Sequence, residues 1–327
     1  MSPLQRILIA DRGDAGVRLD RVLRRHLRDV QAATRTRVQA WIAGGCVTVN
    51  DRPVRRVAAR AALGDRVSVT MPDAPPRRVM RGEDVALAVL YEDDHVVAVD
   101  KPAGLVVHPT FKHPAGTLMN ALLGHARTWP AGQRPSIVGR LDKQTSGVVL
   151  AAKSGDVHAA LQRAAMQKIY LALVYGRVPA ARGTIDLRLA VDSDRRRVVA
   201  SADVGAASVT RFERIARAPA PRAGLSLLRC TLETGRRHQI RAHLQARGWP
   251  IVGDPVYGEP RWARVDDPLL AAALRAFPRQ ALHAAHLAFV HPITRSLITI
   301  DAPLAEDFAG LVEIAGLKPQ ALSYKPA

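Results

Sequence analysis

The chain has 327 residues, 48% of them apolar, enough to bury the cores of one large and one small domain, which excludes a wholly disordered polypeptide. With 48 Lys and Arg against 29 Asp and Glu, its formal charge of +19 suits a protein that works on a polyphosphate partner. Two cysteines, Cys46 and Cys230, cannot build a disulfide framework; they lie in strand-like segments and read as buried small hydrophobes of a reducing compartment.

The N-terminal apolar run meets Asp11 and Asp14 too early for a signal peptide, and no apolar run approaches membrane-spanning length. A soluble, cytoplasmic protein is the expectation. Residues 1–15 are expected to be an N-terminal extension, followed by a compact unit over residues 16–71. There Val17, Leu19, Val22, Leu23 and Leu27 recur at helical spacing, and Thr34 is placed to cap a second helix carrying Val38, Trp41 and Ile42, ended by Gly44 and Gly45. CVTVN then alternates as a strand, NDRP turns, and LGDRVSVT returns as another strand. Arg18, Arg35 and Arg37 are among many arginines on this unit, which taken alone could equally be a solvated helix face. Residues 72–85 combine Pro and charge without an apolar period and are expected to be a linker.

From residue 86 to 327 short β-rich runs (86–94, 95–102, 146–153, 168–176, 226–234 and 297–302) alternate with helical stretches near 117–126, 154–167 and 236–247, which predicts an α+β catalytic domain. The segment VGRLDKQTSGVVLAAKS, residues 138–154, carries the densest chemistry: a polar, Gly-bracketed stretch feeds directly into an apolar strand. Asp142 sits there between Arg140 and Lys143, although a lone loop aspartate is as readily a turn former. A metal site is not expected. His283 and His286 have HxxH spacing and His238 lies near His243, yet no Cys pair or HExxH accompanies them. The glycine loops at 102–104 and 253–258 lack GxxxxGK spacing, so no nucleotide cofactor is expected either.

The stretch around Asp142 resembles the HRLDxxTSG motif of the large-subunit (RluA-type) pseudouridine synthases, and further family signatures follow in order. Lys101 to Gly104 with His108-Pro109 resemble KPxGxxxHP; Lys168 to Ala172 resemble the KxYxA strand; Glu233 to His243 resemble the Arg-rich helix start. GDPVYG at 253–258 and Gln280 to Ala284 complete the set, while Gly139 stands where the family usually has His, as in the sister small-subunit type. The unit at 16–71 resembles the RNA-binding domain first known from ribosomal protein S-four, through Arg18-Leu19-Asp20, Thr34 to Arg37, Gly45 and Val47 to Val54, with Asp51 in place of the usual Gly.

The resemblance implies a mixed, mainly antiparallel sheet and an isomerase that breaks the N1–C1′ bond of uridine, rotates the uracil and forms a C5–C1′ bond, with no cofactor or metal. Asp142 matches the catalytic aspartate, as nucleophile or as base; Tyr170 matches the active-site tyrosine, stacking on uracil or mediating proton removal; Arg241 matches the basic residue that pairs with the aspartate. Without the resemblance, Tyr170 would pass for a core residue and Arg241 for a surface arginine. Arg140 is expected to fill the gap left by the flipped uridine or to bind phosphate, and Lys101, His108, Arg236 and His238 to line the RNA cleft. The expected partner is 23S ribosomal RNA or an assembling large subunit, at the stem-loop facing the small subunit in the subgroup this chain most resembles. The competing expectations are the same chemistry on another RNA such as tRNA, and a non-catalytic RNA-binding assembly factor.

Overall fold

The structure, a computed structural model, describes residues 4–30, 33–72, 80–192, 197–218 and 224–317. The chain divides into two compact units, Met1–Val79 and Met80–Ala327.

In the first unit, strands β1 (Leu4–Ile9), β2 (Val47–Val49), β3 (Arg52–Pro53) and β4 (Arg66–Met71) form a sheet in the order β1-β4-β2-β3, with helices α1 (Leu19–His26) and α2 (Arg35–Ala43). The apolar period predicted these helices: Leu19 and Leu23 from α1 and Val38, Trp41 and Ile42 from α2 are buried with Val47, Val67 and Val69 of the sheet. Thr34 caps α2, its hydroxyl accepting from the Arg37 amide at 3.4 Å, and Gly44 closes the helix. Residues 4–9 do not stand apart as an extension: Leu4 to Ile9 pair antiparallel with Met71 to Arg66 as the edge strand of the sheet. Asn50 and Asp51 both take left-handed φ (49° and 65°), the geometry of a two-residue hairpin turn; Asp51 thus does what Gly would do, helped by an ion pair to Arg66 at 2.7 Å. Cys46 is only half-buried and precedes β2 rather than lying within it.

Of the expected linker, residues 73–79 lie outside the described residues. Residues 81–83 are not free chain. The side-chain amide of Asn120 donates to the Arg81 carbonyl at 2.8 Å, and the Glu83 amide donates to the Asn120 carbonyl at 2.9 Å.

The second unit follows in chain order as β5 (Ala88–Glu92), β6 (Val96–Lys101), α3 (Leu118–His125), β7 (Ser136–Val138), β8 (Ser146–Ala152), α4 (Gly155–Arg163), β9 (Met166–Tyr175), β10 (Arg182–Asp186), β11 (Arg188–Val191), β12 (Val198–Ser201), β13 (Val209–Ala218), β14 (Leu225–Leu232), α5 (Gln239–Ala246), α6 (Pro268–Ala276), β15 (Leu282–Val290), β16 (Leu297–Asp301) and α7 (Glu306–Ile314). Its main sheet has the order β10-β13-β14-β9-β15-β8-β6-β5, with β16 on β15 and β7 on β8. Every pairing in it is antiparallel except β15 with β8, so the sheet is mixed and mainly antiparallel as expected. β6 and β8 are buried on both faces, which explains their unbroken apolar runs. Val96, Ala98 and Leu150 face Val157 and Leu161 of α4, whereas Val97, Val99 and Val149 face Leu118 and Leu122 of α3. A separate core, built on β9 and β14, is covered by α5, α6 and α7. Cys230 is buried in it, and burial pushes its thiol pKa up to about 12, so it behaves as a small hydrophobe.

Candidate active site

The residues between β7 and β8, 139–145, form the loop that carries Asp142, and it is gripped from three directions. The carbonyl of Lys143 accepts from the Lys101 ammonium (3.1 Å) and from the Gly104 amide (2.8 Å); that of Gln144 accepts from Arg279 (3.3 Å), itself bidentate to Asp307 of α7 at 2.6 Å. Gln280 donates to the Thr145 hydroxyl (3.1 Å) and His283 pairs with Ser146 (2.9 Å). One step further, Gly147 has φ +110°, and a Cβ there would lie 2.1 Å from the Ala284 carbonyl oxygen, so only glycine lets β8 enter the parallel pairing with β15. The segments TSG and QALHA are therefore two halves of one joint.

His283 is fully buried in this joint, and burial lowers its pKa to about 4. A histidine neutral in the folded state but titrating near its ordinary value when unfolded adds stability above about pH 6.5 that is lost as pH falls towards 4, on the order of 3 kcal/mol. Urea unfolding of the wild type is expected to show this loss between pH 6.5 and 4. His283→Asn removes the titrating group and should flatten that slope; an equal slope in the variant would assign it elsewhere. His286, the other half of the HxxH spacing, pairs with Asp301 at 2.7 Å, so the two histidines serve different neighbours.

Asp142 is held by α5. Arg241, 5% exposed at its side chain, donates from Nη1 to Asp142 Oδ2 (2.7 Å) and from Nε and Nη2 to the two oxygens of Asp254 (2.7 and 2.8 Å). Burial works against the guanidinium charge, and the two carboxylates more than offset it, raising the Arg241 pKa. Burial likewise opposes the Asp254 carboxylate, but Arg241 and the amides of Tyr257 and Val256 hold its pKa below the usual range. His238 opens α5 with a left-handed φ of 54° and brings Nε2 to 3.8 Å from Asp142 Oδ1. Its Nδ1 lies 3.1 Å from the Tyr257 hydroxyl, which already accepts from the Val198 amide at 2.7 Å and so has its proton free to donate.

Asp142, Tyr170, Arg140, Arg236, His238 and Arg241 line one cleft of about 210 Å³. His108 lines an adjoining cleft of about 440 Å³ that shares Arg140 and Asp142. Burial and the charge of Arg140 lower the His108 pKa. Arg140 is exposed, with no hydrogen-bond or ion-pair partner among the described residues. Tyr170 is 9% exposed, and burial together with the Asp142 charge pushes its phenol pKa well above the ordinary value, so the hydroxyl keeps its proton at any physiological pH.

One expectation fails. Lys101 is fully buried and spends its ammonium on the carbonyls of Pro102 (2.7 Å), Leu105 (3.0 Å) and Lys143 (3.1 Å), so it ties the loop after β6 to the Asp142 loop and cannot touch RNA. Burial lowers its pKa to about 7, against three acceptors that favour the charged form. Arg18, in the first unit, precedes α1 without a side-chain capping bond and is bidentate to the buried Asp20 (2.9 and 3.1 Å); Arg35 is exposed and Arg37 half-buried at the start of α2.

Three residues of the site escaped the sequence reading, two of them buried behind Arg241 and one in the cleft wall. Asp254 and Tyr257 lie in GDPVYG, where the acid in a glycine-bracketed turn was the available signal. Lys168, two residues before Tyr170, also lines the cleft, and burial lowers the pKa of an ammonium that has no acceptor among the described residues. Its Nζ lies 3.8 Å from where a Cβ of Gly139 would be, and Gly139 adopts φ +82°.

The profile of the RNA pseudouridylate synthase family matches residues 95–246, a span containing Asp142, Tyr170 and Arg241. Over 289 residues the chain is 39% identical to the ribosomal large subunit pseudouridine synthase D of Pseudomonas aeruginosa, covering 86% of this chain and 87% of that protein. The chain belongs to the RNA pseudouridylate synthase family. The synthase is also 36% identical over 316 residues to the ribosomal large subunit pseudouridine synthase D of Nitrosomonas europaea, covering 95% and 88% of the two chains. A solved structure, human RNA pseudouridylate synthase domain containing 4, shares the fold with a TM-score of 0.54 at 20% identity, covering 70% of this chain and 93% of that one. The enzyme is thus an isomerase. No helix among its described residues is long and apolar enough to cross a membrane.

Proposed function

We propose that this synthase converts specific uridines of 23S ribosomal RNA to pseudouridine, in the stem-loop facing the small subunit, on free RNA or an assembling large subunit, and that Asp142 is the group that reacts. The observation that carries the catalytic assignment is the single guanidinium of Arg241 shared between two carboxylates: it fixes Asp142, a lining residue of the cleft, through Oδ2, with His238 Nε2 3.8 Å from Oδ1. Asp254 anchors Arg241 from behind. A carboxylate set this way can attack the sugar or remove a sugar proton while the uracil turns.

The burial of Tyr170 and its raised phenol pKa support a role in stacking on the uracil over one as a phenolate base. Arg140, exposed at the cleft mouth, suits the space vacated by a flipped nucleotide, and Arg236 the RNA backbone. The large-subunit names of the relatives, the charge of +19 and the small N-terminal unit support ribosomal RNA as substrate. That unit would add affinity by tethering.

The test is to incubate the protein, without added metal or cofactor, with unmodified 23S rRNA, assembling particles and a tRNA panel, and to map pseudouridines by carbodiimide-dependent reverse-transcription stops. New stops are expected in the stem-loop of 23S rRNA facing the small subunit. Stops confined to tRNA would replace the substrate; RNA binding with no stops in any RNA would leave an assembly factor.

A further inference from the structure

Phe111 is 99% exposed, above every other large apolar side chain among the described residues. The segment that presents it is closed. Thr110 and His113 exchange backbone hydrogen bonds at 2.9 and 3.2 Å, and the Thr110 hydroxyl accepts from the His113 amide at 3.1 Å, which leaves Phe111 and Lys112 as the two tip residues of a tight turn. Its stem is anchored: the amides of Leu118 and Met119 donate to the carbonyls of Val106 and Val107 at 2.9 and 3.1 Å, and Val107 is buried. His108 and Thr110, at the foot of the turn, line the same cleft as Arg140, Asp142 and Lys143.

An aromatic ring held in water by a closed turn, with a lysine beside it and Arg140 and Lys143 in the neighbouring cleft, presents a flat apolar face inside a cationic surface. A nucleobase with its phosphates has the complementary form: a π-face to stack and an anion within reach of an ammonium. An acidic protein surface would meet the cations but would gain nothing particular from a single flat ring.

We propose that Phe111 is a stacking platform for an unpaired base near the target uridine, with Lys112 meeting an adjacent phosphate; this rests on the reading that the substrate is ribosomal RNA. The platform acts on substrate capture and leaves the chemistry at Asp142 unchanged.

The experiment measures RNA affinity and the single-turnover rate at saturating enzyme for the wild type, Phe111→Ala and Phe111→Trp, on 23S rRNA transcripts and on transcripts with one abasic site at each unpaired position flanking the modified uridine. Phe111→Ala should weaken binding roughly 5- to 150-fold with an unchanged saturating rate, and Phe111→Trp should retain binding. One abasic position should weaken the wild type by a similar factor and have no further effect on Phe111→Ala. Equal affinity of wild type and Phe111→Ala, or losses that multiply at every abasic position, would overturn the proposal. So would a loss confined to assembling particles, which would assign the ring to a ribosomal protein. If the wild type modifies tRNA and not 23S rRNA, the rRNA reading fails separately, and the same cycle on that tRNA decides the stacking.

Discussion

Asp142→Asn should abolish pseudouridine formation, lowering the single-turnover rate by roughly 10⁴-fold or more, while leaving the protein folded. The substitution preserves shape, and its amide oxygen can still accept from Arg241 Nη1, which donates to Asp142 Oδ2 at 2.7 Å in the wild type. Arg241 also keeps its bidentate grip on Asp254. Stability should therefore change by no more than about 1 kcal/mol, and RNA affinity should stay near wild type. What is lost is the anionic oxygen, which an amide cannot replace as nucleophile or base. Single-turnover conversion and urea unfolding on the same preparation separate the outcomes: a rate within tenfold of wild type would show that Asp142 orients other groups and does not react.

Arg241→Leu should have the largest effect on stability, a loss of about 3–5 kcal/mol, because it leaves two carboxylates facing each other without their shared cation. Activity should fall with it, since among the described residues nothing else holds Asp142 Oδ2. The pH dependence distinguishes this account from simple loss of packing. In the wild type the Asp254 pKa is held below its ordinary value, so the associated stability is present above the unfolded carboxyl pKa and is lost only as pH falls through the lower folded one. In Arg241→Leu burial is opposed only by the amides of Tyr257 and Val256 and raises that pKa, so protonation relieves the variant first. The stability gap between the two proteins should narrow on acidification from neutral pH, as read by urea unfolding. Adding Asp254→Asn to Arg241→Leu should recover at least about 1 kcal/mol without restoring activity; a gap constant with pH and no recovery would contradict the shared-cation arrangement.

Much of the fold is legible locally. The second helix of the small unit runs from its Thr34 cap to Gly44 because a hydroxyl and a glycine act within a few residues of their position in the chain. The apolar runs around Val96 to Val99 and Val148 to Leu150 are strands because both faces are covered. Several strands were not legible, two of them central to the main sheet. β13, VTRFERIARA, carries arginines among its apolar residues, and β15, LHAAHLAFV, is rich in alanine and leucine; both are compositions a helix accepts equally well. They became strands because the sheet needed neighbours for β14 and for β9 and β8. β1 was missed for a similar reason, since its partner lies some sixty residues on.

By itself the sequence determined the family, the α+β class and the identity of Asp142, Tyr170 and Arg241 as candidates, because motifs, caps and alternation are encoded over spans of a few residues. Only the tertiary structure decided which charges act and which merely hold. Lys101 and Arg241 are both basic residues in family motifs, yet one closes on three carbonyls while the other bridges Asp142 and Asp254. The difference depends on what arrives at each side chain from elsewhere in the chain, 99 residues away in the case of Asp142 and Arg241. Burial and the direction of a hydrogen bond are properties of that convergence, and no local pattern carries them.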